Sequence, residues 1–246
     1  MRRFCDARHS ARYPHLALQF AAVCYDIRAM KKKLPPPQIT HVLFDWDGTL
    51  INSYTADLNA YVTMFAALEI AFSEAQIAEH YSPNWYRLYR AAKLPRKHWP
   101  TADALWTKAY GLHKPPLLPG ARRVIRDLAS THTLGIVTSG NRVRVRRQLR
   151  EFNLRSHFAT FVASEDVTHK KPHPAPLRLA LERLRAKPEQ CVYVGDTAED
   201  MEMAMRVSVC AIGVVGPFPT EKRLRAAQPE IVLANIAELV PYLRRT

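Results

Sequence analysis

The stretch His41-Val42-Leu43-Phe44-Asp45-Trp46-Asp47-Gly48-Thr49-Leu50 limits the possible folds more than any other part of the chain. Val42, Leu43 and Phe44 make a short apolar run of the kind a fully buried strand shows. Asp45 and Asp47 follow, separated by one large residue, and Gly48-Thr49 then turn the chain. Two like charges at the end of a buried strand are expensive unless a cation or a reaction uses them. Mg²⁺ is one such cation, taking carboxylate oxygens together with substrate phosphate. Read alone, the same residues are also a strand end followed by an Asp-Gly turn.

Three later stretches repeat the pattern of a chemical group at a strand end. Ile136-Val137 leads into Thr138-Ser139-Gly140-Asn141, a hydroxyl residue and a helix start, where anions bind readily. The same four residues also read as a helix cap. His169-Lys170-Lys171-Pro172-His173-Pro174 is a basic loop before a helix. Val194-Gly195-Asp196-Thr197-Ala198-Glu199-Asp200 carries further acids, and Thr197 with Asp200 also matches a capping-box variant. A cap there is compatible with chemistry, since it would hold the acid in place.

Taken together and in this order, the four stretches resemble the signatures of the haloacid dehalogenase superfamily over Thr40 to about Gly213. The resemblance implies an α/β fold with a Rossmann-like, three-layer parallel-sheet core and an inserted all-helical cap. It implies a Mg²⁺-dependent phosphatase that hydrolyses a small phosphomonoester through an aspartyl-phosphate. Asp45 would be the nucleophile, and Asp47 the acid and base, its main-chain carbonyl also reaching the metal. Thr138, Ser139 and Gly140 would bind phosphate. Lys171, chosen over Lys170 because the family's lysine directly precedes proline, would balance the charge. Asp196 would be a metal ligand, and Asp200 a second ligand or a group orienting waters or Lys171. The presence of Asp47 favours phosphoryl transfer, because the dehalogenases that gave the superfamily its name lack this acid.

Around these motifs the chain divides into three parts. Residues 1–36 form a basic extension and read as poorly structured, as a targeting segment, or as translation from a start before Met30. Residues 37–52 and 118–246 hold the core. Residues 53–117 read as a cap of helices, about 53–68, 85–93 and 102–110, punctuated by prolines. Its position resembles the helical cap of phosphoglycolate phosphatase-like members, with Asn52-Ser53 at the hinge. Such a cap would act as a movable lid, with Arg87 and Arg90 as candidate substrate contacts beside Trp85, Tyr86 and Lys93. From Pro119 onward, helices alternate with strands at about 133–138, 158–163, 191–194, 209–214 and 231–233. This alternation predicts a strand order 3-2-1-4-5 with the motifs at the carboxyl ends.

Charge raises the question of partners. The chain carries a formal net charge of +14, to which residues 1–36 contribute eight Lys/Arg against two Asp. A phosphorylated substrate drawn by a positive field fits, and so does nucleic acid. The run Arg142, Arg144, Arg146, Arg147 and Arg150 reads as a solvated helix face, because Val145, Leu149 and Phe152 mark the buried side. Four cysteines without metal-site spacing point to a reducing, cytoplasmic setting, and no apolar run approaches a membrane span. A phosphomutase on the same machinery, or a nucleic-acid-end-processing protein, is an alternative to the phosphatase, as monomer or homodimer.

Overall fold

A computed structural model of the chain describes residues 38–245. The expectations for residues 1–36 therefore lie outside the described residues. The centre is β1 (His41–Phe44), whose residues alternate between the two faces of a sheet. Val42 and Phe44 enter one apolar core and Leu43 the other. Both neighbours of β1 run parallel to it. On one side lies β2 (Thr133–Val137), on the other β4 (Cys191–Gly195). With β3 (Phe158–Val162), β5 (Cys210–Val214) and β6 (Ile231–Leu233) the sheet has the order β3-β2-β1-β4-β5-β6. The predicted order is found, with β6 added at its edge.

Helices cover both faces, as an all-parallel sheet requires. Helix α5 (Ala121–Ala129) contributes Ala121, Val124, Ile125 and Leu128, and α6 (Arg142–Glu151) contributes Val145 and Leu149. These pack against Phe44, Ile136, Val194 and Ile212. On the opposite face Leu177, Ala180 and Leu181 of α7 (Ala175–Leu184) and Met201 and Ala204 of α8 (Ala198–Met205) cover Leu43, Val137 and Tyr193. Leu224 of α9 (Glu221–Ala226) joins this second core, while α10 (Leu239–Leu243) closes the first. No helix among the described residues is long and apolar enough to cross a membrane.

Between β1 and β2 the chain inserts α1 (Tyr54–Ala67), α2 (Glu74–His80), α3 (Tyr86–Ala91) and α4 (Trp99–Tyr110). They share a core of Met64, Phe65, Ile77, Leu88 and Tyr89. Helix α2 does not appear in the sequence reading. It buries Ile77 but lacks a repeating apolar stripe, and a Ser73–Gln76 capping box supports it instead. The insertion leaves and re-enters the core at one place. Asn52 N–H donates to Pro116 O at 2.8 Å and Leu118 N–H to Leu50 O at 2.9 Å, so the two crossing segments are clipped side by side.

Candidate active site

The strands deliver the four motifs to one rim. Asp45 continues β1 by one residue, its N–H donating to Val194 O at 2.9 Å, and Thr138 extends β2 through a 2.9 Å bond to Val162 O. Asp196 follows β4 directly. Gly48, at φ 81°, turns the chain back over Asp196, and a Cβ there would lie 2.3 Å from Asp196 Oδ2. Glycine is thus the residue that lets the first motif close over the fourth.

Within this rim Lys171 is almost wholly buried, its Nζ 2.6 Å from Asp45 Oδ1 and 2.8 Å from Asp200 Oδ1. Lys170 points elsewhere, its Nζ 4.0 Å from the centre of the Trp85 ring. Asp200 is fully engaged. Its Oδ2 accepts from Thr197 Oγ1 at 2.6 Å, and its Oδ1 also accepts from Tyr193 at 3.0 Å. The capping box at Thr197 is therefore present and helps to hold the acid beside Lys171. Asp196 accepts from Thr49 at 3.1 Å through Oδ1, whereas its buried Oδ2 has no partner.

The electrostatics follow from burial. Burial pushes the Asp45 carboxyl up to about 7, with Lys171 opposing and Asp200 and Asp47 adding to the rise. Asp196 is raised well above the ordinary range, first by burial and then by Asp45 and Asp200. Lys171 goes the other way. Burial disfavours its ammonium, but Asp200 and Asp45 outweigh that and raise its pKa. Oxygens of Asp45, Asp196 and Asp200 all lie within 4.8 Å of one another. Hard carboxylate oxygens, one of them orphaned and crowded into a dry site with a single lysine, suit a divalent cation such as Mg²⁺.

Asp47 lies outside that trio. Its carboxylate turns to Arg144, whose Nη1 and Nη2 donate to Oδ1 and Oδ2 at 2.8 and 2.6 Å. This corrects the solvated-face reading of residues 142–150 at one position. Arg144 is mostly buried, stacks 4.7 Å from the Tyr110 ring centre, and has the buried Gln148 one turn further along α6. The guanidinium passes over Gly140, where a Cβ would meet Arg144 Nη2 at 2.4 Å. Asn141 caps α6 as expected, accepting from Val143 and Arg144 N–H, and Thr138 Oγ1 accepts from Gly140 N–H at 2.9 Å.

A cavity of about 210 Å³ opens between this rim and the inserted helices. Asp45, Asp47, Thr138, Ser139 and Gly140 line its floor, and Tyr61, Trp85 and Trp106 are among the residues of its roof. Neither Arg87 nor Arg90 is among the lining residues. Arg87 instead pairs with Glu199 at 2.9 Å, and Arg90 sits 6.0 Å from the Trp99 ring centre. The sequence reading saw basic residues on the cap but could not tell which helix face met the core.

Known proteins of similar sequence and fold exist. The family model described as haloacid dehalogenase-like hydrolase matches residues 42–214. The pyrophosphatase PpaX of Oceanobacillus iheyensis is 25% identical over 209 residues, covering 82% of this chain and 95% of its own length. The phosphoglycolate phosphatase of Escherichia coli is 26% identical over 233 residues, with 83% and 92% covered. The fold is also that of CbbY from Rhodobacter sphaeroides, solved in complex with phosphate, at a TM-score of 0.72 and 24% identity over 82% of this chain and 96% of the other.

Proposed function

Because the chain belongs to the haloacid dehalogenase-like hydrolases, we propose that it is a Mg²⁺-dependent phosphatase acting on a small phosphomonoester. The observation that carries this reading is the convergence of Asp45, Lys171, Asp196 and Asp200 in one buried cluster at the cavity's floor end. The names of the relatives, a pyrophosphatase and a phosphoglycolate phosphatase, support the reaction class.

Asp45 attacks phosphorus, the bond to the leaving oxygen breaks, and an aspartyl-phosphate forms. Asp47 protonates the departing alkoxide, then takes a proton from the water that hydrolyses the intermediate. Arg144 holds both oxygens of the Asp47 carboxylate, so Asp47 gives up at least one of these bonds when it carries the proton destined for the leaving oxygen. The Thr138 hydroxyl, whose oxygen already accepts from Gly140 N–H, and the Ser139 N–H hold the phosphoryl oxygens, and Lys171 balances their charge. Asp45, Asp196 and the main-chain carbonyl of Asp47 would hold Mg²⁺, which when bound supplies positive charge to the phosphoryl group. Asp200, with both oxygens engaged, acts mainly by orienting Lys171. The helices of residues 53–117 serve as a lid that excludes water.

The direct test is release of p-nitrophenol from p-nitrophenyl phosphate with and without Mg²⁺. Asp45→Asn should abolish turnover while its circular dichroism stays that of the parent, because an amide cannot attack phosphorus. Turnover retained in that variant would overturn the assignment.

A further inference from the structure

The roof of the cavity has a composition that the hydrolysis itself does not require. Tyr61, Tyr81, Trp85, Tyr89 and Trp106 present aromatic surface to it, and Asp57 and Asp103 present carboxylates. Asp57 projects from α1 and is buried. Its N–H donates to Ser53 O at 2.9 Å, while its carboxylate has no ion-pair partner among the described residues. The Trp106 indole lies close enough to favour the carboxylate, yet Trp106 Nε1 is without a hydrogen-bond partner. Burial and the nearby Asp47 push the Asp57 carboxyl up to about 8, with Arg144 opposing. Asp103, on α4, takes Trp85 Nε1 at 2.9 Å and Tyr89 Oη at 2.8 Å on the same oxygen, which fixes its position against the rings.

Positive charge is scarce here. Arg144 is the one Lys or Arg among the described lining residues, and both its terminal nitrogens are committed to Asp47. Lys170 offers Asp103 a positive charge but is not part of the lining. A leaving group carrying a carboxylate or a second phosphate would enter this space against Asp57 and Asp103 with no free cation to receive it. A neutral polyol would avoid repulsion but would give Asp57, which burial keeps protonated, no charge to ionise against. An ammonium answers both needs, since aromatic faces attract a desolvated cation and a buried carboxylate pairs with it.

We propose that the substrate is a phosphomonoester of an amino alcohol, its ammonium group seated among the aromatic rings of the cap against Asp57. This rests on the phosphatase reading and narrows its substrate class. Phosphate leaves to Asp45 at the floor while the cationic end is held at the roof, so one cavity reads both ends of a short molecule.

The experiment compares kcat/KM, with Mg²⁺, for choline phosphate and phosphoethanolamine against glycerol 3-phosphate, 2-phosphoglycolate and pyrophosphate. At least one cationic ester should exceed each of the others by about tenfold or more. In Asp57→Asn, checked for native circular dichroism, the ratio of cationic to neutral ester should fall by about tenfold. Calorimetry on Asp45→Asn should detect binding of the preferred cationic ester and weaker binding of 2-phosphoglycolate. Preference for an anionic or polyol ester, or a cationic preference that survives Asp57→Asn, would overturn the proposal. Should p-nitrophenyl phosphate be hydrolysed without any preference for cations, only this proposal falls. If no ester is hydrolysed at all, the phosphatase reading falls and this one with it.

Discussion

Asp57 keeps a proton that an unfolded chain would surrender. Its carboxyl stands at about 8 in the folded protein against 3.8 ordinarily, chiefly because it is buried. Between those values the native state binds more protons than the unfolded one, so stability falls as pH rises through the window. Asp57→Asn removes this term and should be more stable than the parent at pH 8 by on the order of 2–4 kcal/mol, with little gain at pH 4. Urea unfolding at the two pH values measures it, and an equal gain at both would refute the assignment. Arg144 teaches a different lesson about single residues. Periodicity marks Val145 and Leu149 as the inward stripe of α6, and Arg144 falls beside it. What helical counting cannot supply is that this flank faces a cavity rather than water, with Asp47 waiting there. The third position of the helix that follows the second motif is the available signal, since it lies one turn from the Asn141 cap. Asp45 was legible because a charge at the end of a buried strand needs a reason, whereas Lys171, Asp196 and Asp200 were legible through the likeness of their stretches to the superfamily's motifs.

Among the elements, the inserted helices touch the core at more than their hinge. Glu199, in the first turn of α8, accepts from Ser82 Oγ at 2.7 Å and from Arg87 Nη1 at 2.9 Å. Arg223 of α9 donates to Tyr81 O at 2.7 Å, and Phe218 stacks on Tyr81 with centroids 4.2 Å apart. These contacts hold the cap closed over the cavity. Glu199→Ala strips two donors of one acceptor and should raise KM by roughly three- to tenfold, the loss expected for a charged hydrogen bond that is partly solvated. Steady-state kinetics with p-nitrophenyl phosphate checks this, and an unchanged KM would mean that the latch does not bear on closure. The cap helices α1, α3 and α4 could be read from aromatic and aliphatic spacing, whereas α2, with its single buried Ile77, could not.

At the scale of the molecule, the sheet gathers acids distant in sequence into a cluster that is short of positive charge. One lysine serves Asp45 and Asp200, and Asp196 Oδ2 has no partner. A bound divalent cation should therefore stabilise the whole fold. At a hundred times its Kd, Mg²⁺ would add about 2.7 kcal/mol, a rise of roughly 5–11 °C in Tm for a chain of this size. Differential scanning calorimetry with Mg²⁺ and with EDTA tests this, and Asp196→Asn should blunt the response. An identical Tm in both solutions would argue against a metal at this rim. The strand order was legible because alternating helices and strands leave few parallel topologies.

The paired crossing at Asn52–Pro116 and Leu50–Leu118 has an evolutionary corollary. Exit and return lie side by side, so the path of the core needs nothing from the lobe between them, whose other ties are contacts such as Arg87–Glu199 and Arg223–Tyr81. A foreign lobe with matching ends could be grafted there, and selectivity could drift or be redesigned while the engine beneath stays as it is.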